Sequence, residues 1–132
     1  MRQELLITLD VQSAELLRCI DHCESCHRKC LYAAMSYCLE QGGANVEPPH
    51  FRLMMACADI CRMTADSILS GSHIYERLCL LCSRVCIECA ESCERLGNMQ
   101  ECVEACVTCS ESCRQLCSVQ PLSSSEASDR AS

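Results

Sequence analysis

The chain has 132 residues, a net charge of −7 and an apolar content of 49% that counts its cysteines, with aromatics limited to Tyr32, Tyr37, Phe51 and Tyr75. Its length suits one compact domain. Its acidity argues against nucleic acid, which needs a basic face, and no apolar stretch is long enough to span a membrane.

Residues 1–18 carry Leu5, Leu9 and Leu16 at helical spacing but no cysteine. They either prolong the first helix or form a separate turn that covers one end or contacts another subunit. Glu4 and Asp10 interrupt any apolar run, and no small-residue cleavage site follows. The expected location is therefore the cytoplasm, a reducing compartment where thiols remain thiols. The first helix carries Cys19, Cys23, Cys26, Cys30 and Cys38 and stops at Gly42-Gly43. Pro48 and Pro49 suit the first turn of a second helix, which holds Cys57 and Cys61 and runs to Gly71.

Ser72 can cap a third helix bearing Cys79, Cys82, Cys86, Cys89 and Cys93, which ends at Gly97. Asn98 followed by Glu101 resembles a capping box that opens the fourth, with Cys102, Cys106, Cys109, Cys113 and Cys117. Short connections force antiparallel neighbours, so the predicted fold is all-α, an up-down-up-down four-helix bundle. Its cysteines, three or four positions apart, face the core. The bundle is expected over 1–118, with 1–18 as a cysteine-free helical extension. The Ser-rich run over 119–132 reads as a disordered tail.

Cysteine makes up seventeen residues, about 13% of the chain, a level usual in disulfide scaffolds. Disulfides fit poorly here. Neighbours on one helix face have Cβ atoms about 5–6 Å apart, a disulfide needs about 3.5–4.5 Å, and seventeen is odd. Zinc or iron–sulfur chemistry is suggested by the CxxC pairs Cys23/Cys26, Cys79/Cys82, Cys86/Cys89 and Cys106/Cys109. These pairs lie in unbroken helical sequence rather than in Gly-containing turns. A Zn²⁺ on four thiolates also leaves a charge of −2, costly when several such sites stack in a dry core.

Cu(I) is soft and monovalent and is selected by thiolate. One ion per thiolate leaves the core neutral, and a linear S–M–S unit spans about 4.6 Å if the metal–sulfur bond is about 2.3 Å. Buried cysteine can also be a small hydrophobe, but Leu or Ala would fill five positions on each of three helices without the oxidation risk.

The shared end of the bundle gathers Cys38, His50, Met54, Cys93, Met99 and Cys102. His50, Met54, Cys57 and Cys61 continue one helical face. Imidazole and thioether hold Cu(I) more weakly than thiolate, so His50, Met54 and Met99 are candidate ligands at an entrance. A plainer reading makes Met54 core filler and Met99 a surface residue. His22 and His27 flank the sulfur face, His73 starts the third helix at the far end, and Met1, Met35, Met55 and Met63 point away. Thr64, Ile68 and Leu69 look like an apolar plug at that far end. Paired carboxylates such as Glu88 and Glu91 read as a solvated face, and no catalytic constellation or phosphate loop is present, so no enzyme is expected.

The arrangement resembles the cytosolic bacterial copper-storage proteins over roughly residues 12–118. The likeness rests on Cys19-x3-Cys23-x2-Cys26-x3-Cys30, the Cys57-Ala-Asp-Ile-Cys61 block, Cys82-x3-Cys86-x2-Cys89-x3-Cys93 and Cys102-x3-Cys106-x2-Cys109-x3-Cys113. The resemblance implies a cysteine-lined bundle holding many Cu(I) ions per chain, assembled as a homo-oligomer, commonly a tetramer, with a copper chaperone as a candidate donor. It departs at His50, where many relatives place a cysteine, and at Gly97-Asn98-Met99, where His-rich turns are common. The rival expectations are a zinc buffer and an iron–sulfur or thiol redox protein. Cys79 and Cys102, nearest to helix N-termini, are the best placed for thiol chemistry.

Overall fold

The structure, a computed structural model, describes residues 2–119 and, within them, the side chains of 11–117. The tail expected over 119–132 lies outside the described residues except at its first position, and so do Met1 and the side chains of Leu5 and Leu9.

Four helices account for the fold. Helix α1 (Arg2–Ala33) is continuous through the cysteine-free segment and goes on through a π-helical turn at Ala34–Cys38 to Gln41. Helices α2 (Pro48–Leu69), α3 (Tyr75–Leu96) and α4 (Gln100–Val119) follow. Helix α1 packs against α2 and α4, and α3 packs against the same two. The short links reverse the chain each time, which gives the up-down-up-down square predicted from the sequence.

The π turn explains an irregular spacing. Seven residues are close to two turns of α-helix, so Cys38, eight beyond Cys30, would drift off the inner face of a regular helix by about 80°. The wider i→i+5 turn takes up the extra residue. Cys30, Ala34 and Cys38 consequently all sit on the inside, fully buried.

Two of the expected helix starts differ in detail. Helix α3 begins at Tyr75, with Ile74 rather than Ser72 at the N-cap. The Ser72 hydroxyl instead accepts from the Ile74 N–H at 3.4 Å, holding the turn before the helix. Asn98 is not the cap of α4. It adopts a left-handed φ of 61°, directly after Gly97 at 81°. The carbonyl of Met99 accepts the first bond, from the Val103 N–H at 3.0 Å. The tight reversal needs two successive positive-φ residues, which Gly and Asn tolerate best, and this moves the cap one residue on.

The core is sulfur with small residues around it. Sixteen of the seventeen cysteines are buried and Cys117 is half-buried. Ala34, Ala58, Ala65, Ala90 and Ala105 fill between them, with few large aliphatics such as Ile20, Ile68 and Leu116. Alanine on the inner faces lets the helices approach closely and leaves the central space to sulfur.

Candidate metal centre

All seventeen cysteines are free thiols. Their sulfurs form a continuous column along the bundle axis, with contributions from all four helices. Toward the α1 start, Cys113 lies 3.8 Å from both Cys19 and Cys23, and Cys23 is 3.7 Å from Cys109. In the middle, Cys61 is 3.7 Å from Cys82 and 3.6 Å from Cys86, and Cys26 is 3.7 Å from Cys106. Toward the other end, Cys30 approaches Cys102 at 3.3 Å and Cys106 at 3.4 Å, and Cys93 is 3.8 Å from Cys102. None approaches the bonded S–S length of about 2.05 Å.

Several buried quartets have all their sulfurs within 4.8 Å of one another, among them Cys23/Cys82/Cys109/Cys113, Cys26/Cys30/Cys57/Cys106 and Cys61/Cys82/Cys86/Cys109. With metal–sulfur bonds of about 2.3 Å, a trigonal site needs sulfurs about 4.0 Å apart and a linear site about 4.6 Å. Both spacings lie within the 4.8 Å that bounds these quartets. The same sulfur belongs to more than one quartet: Cys82 and Cys109 are shared by the first and the third of these. Bridging thiolates are thus available throughout.

Distance alone does not choose the metal. Charge does. Among the described residues the buried polar side chains are His50, Thr64, Ser83, Ser92, Ser110 and Ser112, with no Lys or Arg among them. Among the described residues no buried cation neutralises a thiolate, and burial disfavours the charged form at each buried thiol. Burial pushes the Cys38 thiol above its ordinary value. Cys61 is driven far above the thiol range, first by its hydrogen bond with Cys109 and then by further thiols and burial, whereas hydrogen bonds from Cys106 and Cys30 lower Cys102 to about 5. A monovalent ion entering as a proton leaves keeps the charge constant. A divalent ion displacing four protons adds −2 to a dry interior.

The soft non-cysteine residues meet at the end where α1 finishes and α2 begins. Cys38 Sγ lies 3.5 Å from Met54 Sδ, 3.6 Å from Met99 Sδ and 3.8 Å from His50 Nε2. Met54 is fully buried, Met99 is 5% exposed and His50 is 7% exposed, so Met99 is not a surface residue. Burial lowers the His50 pKa, favouring the neutral ring. Beside this cluster a groove of about 670 Å³ opens between the π turn and the start of α4, lined by Tyr32, Tyr37, Met99 and Cys102 among others. It brings the solvent side up to Met99 and to Cys102.

The remaining histidines stay apart from the sulfur. His27 donates from Nδ1 to the Ala58 carbonyl at 2.7 Å, tying α1 to α2. His22 is half-buried with Nδ1 unpartnered, and His73 is exposed. Met35 and Met63 are exposed, and Met55 is half-buried. At the far end, Thr64 and Ile68 are buried as expected, but Leu69 is 60% exposed and takes no part in closing the bundle. Ala65 takes that place, because helical phase turns residue 69 outward. Cys117, half-buried, donates to the Glu76 carbonyl at 3.5 Å.

Ser92 was not marked by the sequence. It is buried on α3, and its hydroxyl lies 2.7 Å from His50 Nδ1. Only the register between α2 and α3 reveals it, although its place beside Cys93 puts it near the inner face.

Residues 12–118 match the family model of the copper storage proteins. A solved protein of Nitrosospira multiformis is 45% identical, with a TM-score of 0.79 over 82% of this chain and 99% of that one. The Cu(I)-bound copper storage protein BsCsp3 of Bacillus subtilis is 31% identical, with a TM-score of 0.70 over 75% of this chain and 94% of that one. A cytosolic copper storage protein of Streptomyces lividans, solved with five coppers, is 27% identical, with a TM-score of 0.70 over 86% and 99%.

Proposed function

The chain belongs to the copper storage protein family, and from that premise we propose how it stores Cu(I) in its sulfur core. The observation that carries the reading is a column of sixteen buried thiols with no Lys or Arg buried beside it among the described residues. Cu(I) replaces protons one for one, so the interior can fill without accumulating charge. The ligands are Cys19, Cys23, Cys26, Cys30, Cys38, Cys57, Cys61, Cys79, Cys82, Cys86, Cys89, Cys93, Cys102, Cys106, Cys109, Cys113 and Cys117. Cys38, His50, Met54 and Met99 form the mouth, where weaker donors capture an ion and release it to the thiolates beyond.

The protein acts as a store without catalytic turnover and works in the cytosol, as its Streptomyces relative does by description. Residues 1–118 form the storage unit. Tyr32, Met35 and Leu39, exposed at helical spacing on one face of α1 and its continuation, support assembly into a homo-oligomer, a tetramer by family likeness. A copper chaperone would deliver at the groove beside Met99.

The test is a titration of the fully reduced protein with Cu(I) against a tight competing chelator. The expected capacity is well over ten ions per chain, on the order of one per thiolate. A plateau near four would replace this reading with a zinc-like or iron–sulfur centre.

A further inference from the structure

We infer that Ser92 is a positioning residue for copper capture: it holds the His50 ring with Nε2 bare and turned toward Cys38. The inference rests on the reading of His50 as a ligand and adds what makes it one. A neutral imidazole carries one proton on two nitrogens, and only the bare nitrogen can bind a metal. His50 Nε2 is the nitrogen that faces the mouth, 3.8 Å from Cys38 Sγ, with Met54 and Met99 sulfurs on the same thiol. To bind there, the ring must carry its proton on Nδ1, and that N–H must find an acceptor in a buried site.

Ser92 supplies the acceptor. Its Oγ is 2.7 Å from Nδ1 and is 3% exposed as a residue, so water does not compete. Arg95, one turn on along α3, donates from Nη2 to the same Oγ at 3.4 Å. The hydroxyl is thereby held from the solvent side and faces His50 from the other. The resulting chain, Arg95 to Ser92 to His50 to Cys38, joins the surface of α3 to the first thiol of the column.

This has a consequence for what the mouth accepts. Cys38 is the one anionic donor among Cys38, His50, Met54 and Met99, so a monovalent ion makes the set neutral and a divalent ion leaves a buried positive charge. A cysteine at position 50 would need no such support, because thiolate has no tautomer to set. The serine matters because this chain uses imidazole.

The test uses the full-length reduced protein, with Cu(I) presented as its bicinchoninate complex. Stopped-flow uptake is compared for wild type, Ser92→Ala, Ser92→Thr, His50→Ala and the double variant Ser92→Ala/His50→Ala. Ser92→Ala should slow the first phase of uptake about tenfold, the scale of losses seen when a supporting partner of a metal-bound histidine is removed. Total capacity should fall by no more than the mouth ion. Ser92→Thr, which keeps the hydroxyl, should restore the rate, and the double variant should be no slower than His50→Ala.

Long-range ¹H–¹⁵N spectra of the imidazoles after one equivalent of Cu(I) give an independent readout. They should show His50 protonated at Nδ1 in wild type and a loss of that single tautomer in Ser92→Ala. Wild-type uptake in Ser92→Ala beside slow uptake in His50→Ala would overturn the role of Ser92, as would additive losses in the double variant. Fast uptake in His50→Ala would remove the ligand reading of His50 and this inference with it, while leaving storage intact. Collapse of wild-type capacity would instead overturn storage itself.

Discussion

Loading the core with Cu(I) should release about one proton per copper, and this ratio follows from what is missing among the buried side chains. Sixteen thiols are buried, and among the described residues no Lys or Arg is buried with them. Burial raises Cys38, and hydrogen bonding with Cys109 followed by other thiols and burial raises Cys61. Hydrogen bonds from Cys106 and Cys30 lower Cys102 to about 5, but burial penalises the charge at every buried thiol, so protons come off the core as copper binds. The perturbation is stepwise addition of Cu(I) held in acetonitrile, a donor that exchanges no proton. The assay is pH-stat titration in weak buffer, run beside an optical count of bound copper. A chain filled to one ion per buried thiol should release about sixteen protons.

The sign of the pH effect follows. Lower pH favours the protonated thiol, so apparent Cu(I) affinity should weaken by about tenfold per unit of pH below the ordinary thiol pKa. Zinc on four thiolates would release about four protons per ion instead. A ratio below about one half for copper would refute the reasoning, since it would mean either thiolates already charged in the empty core or copper held by neutral donors.

Three further outcomes are expected. Burial lowers the His50 pKa, so below the ordinary histidine value the unfolded chain takes up a proton that the folded one resists. Stability of the copper-free protein should then fall as pH drops below about 6.5, and His50→Gln should flatten that part of a urea-denaturation series against pH. Thr64, fully buried one helical step beyond Cys61, stands where the sulfur line of α2 stops, so Thr64→Cys should raise the copper count by about one ion, read by titration. Cys30 meets Cys26, Cys57, Cys102 and Cys106. Cys30→Ala should cost about 1 kcal/mol of copper-free stability and lower capacity by one or two ions rather than abolish it, because its neighbours remain bridged to others. Denaturation and copper titration of the same variant check both.

The sulfur column was legible because cysteines three and four apart can only form an inner face on a helix, and four such blocks with short links leave one simple topology. The meeting of Cys38, His50, Met54 and Met99 was legible for the same reason, as the up-down order brings those helix ends together. What escaped depended on local backbone detail or on cross-helix register. The π turn was hinted at only by the eight-residue step from Cys30 to Cys38. Ser92 reaches His50 across two helices, a relation with no mark in either stretch of sequence. The helix starts were misplaced at Ser72 and Asn98, where turn geometry outcompeted a good capping residue. Leu69 was assigned inward on hydrophobicity although its helical phase points it out.

The central claim, that copper sits on the buried thiols and enters past His50, is tested most directly by locating the metal. Crystals of partly and fully loaded protein, measured on either side of the copper absorption edge, give anomalous peaks at copper alone. Partial loading should show density within quartets such as Cys26/Cys30/Cys57/Cys106, and full loading a continuous line of peaks from Cys19 to the cluster of Cys38, His50, Met54 and Met99. Peaks confined to surface carboxylates or histidines, with the thiol column empty at full loading, would contradict the account.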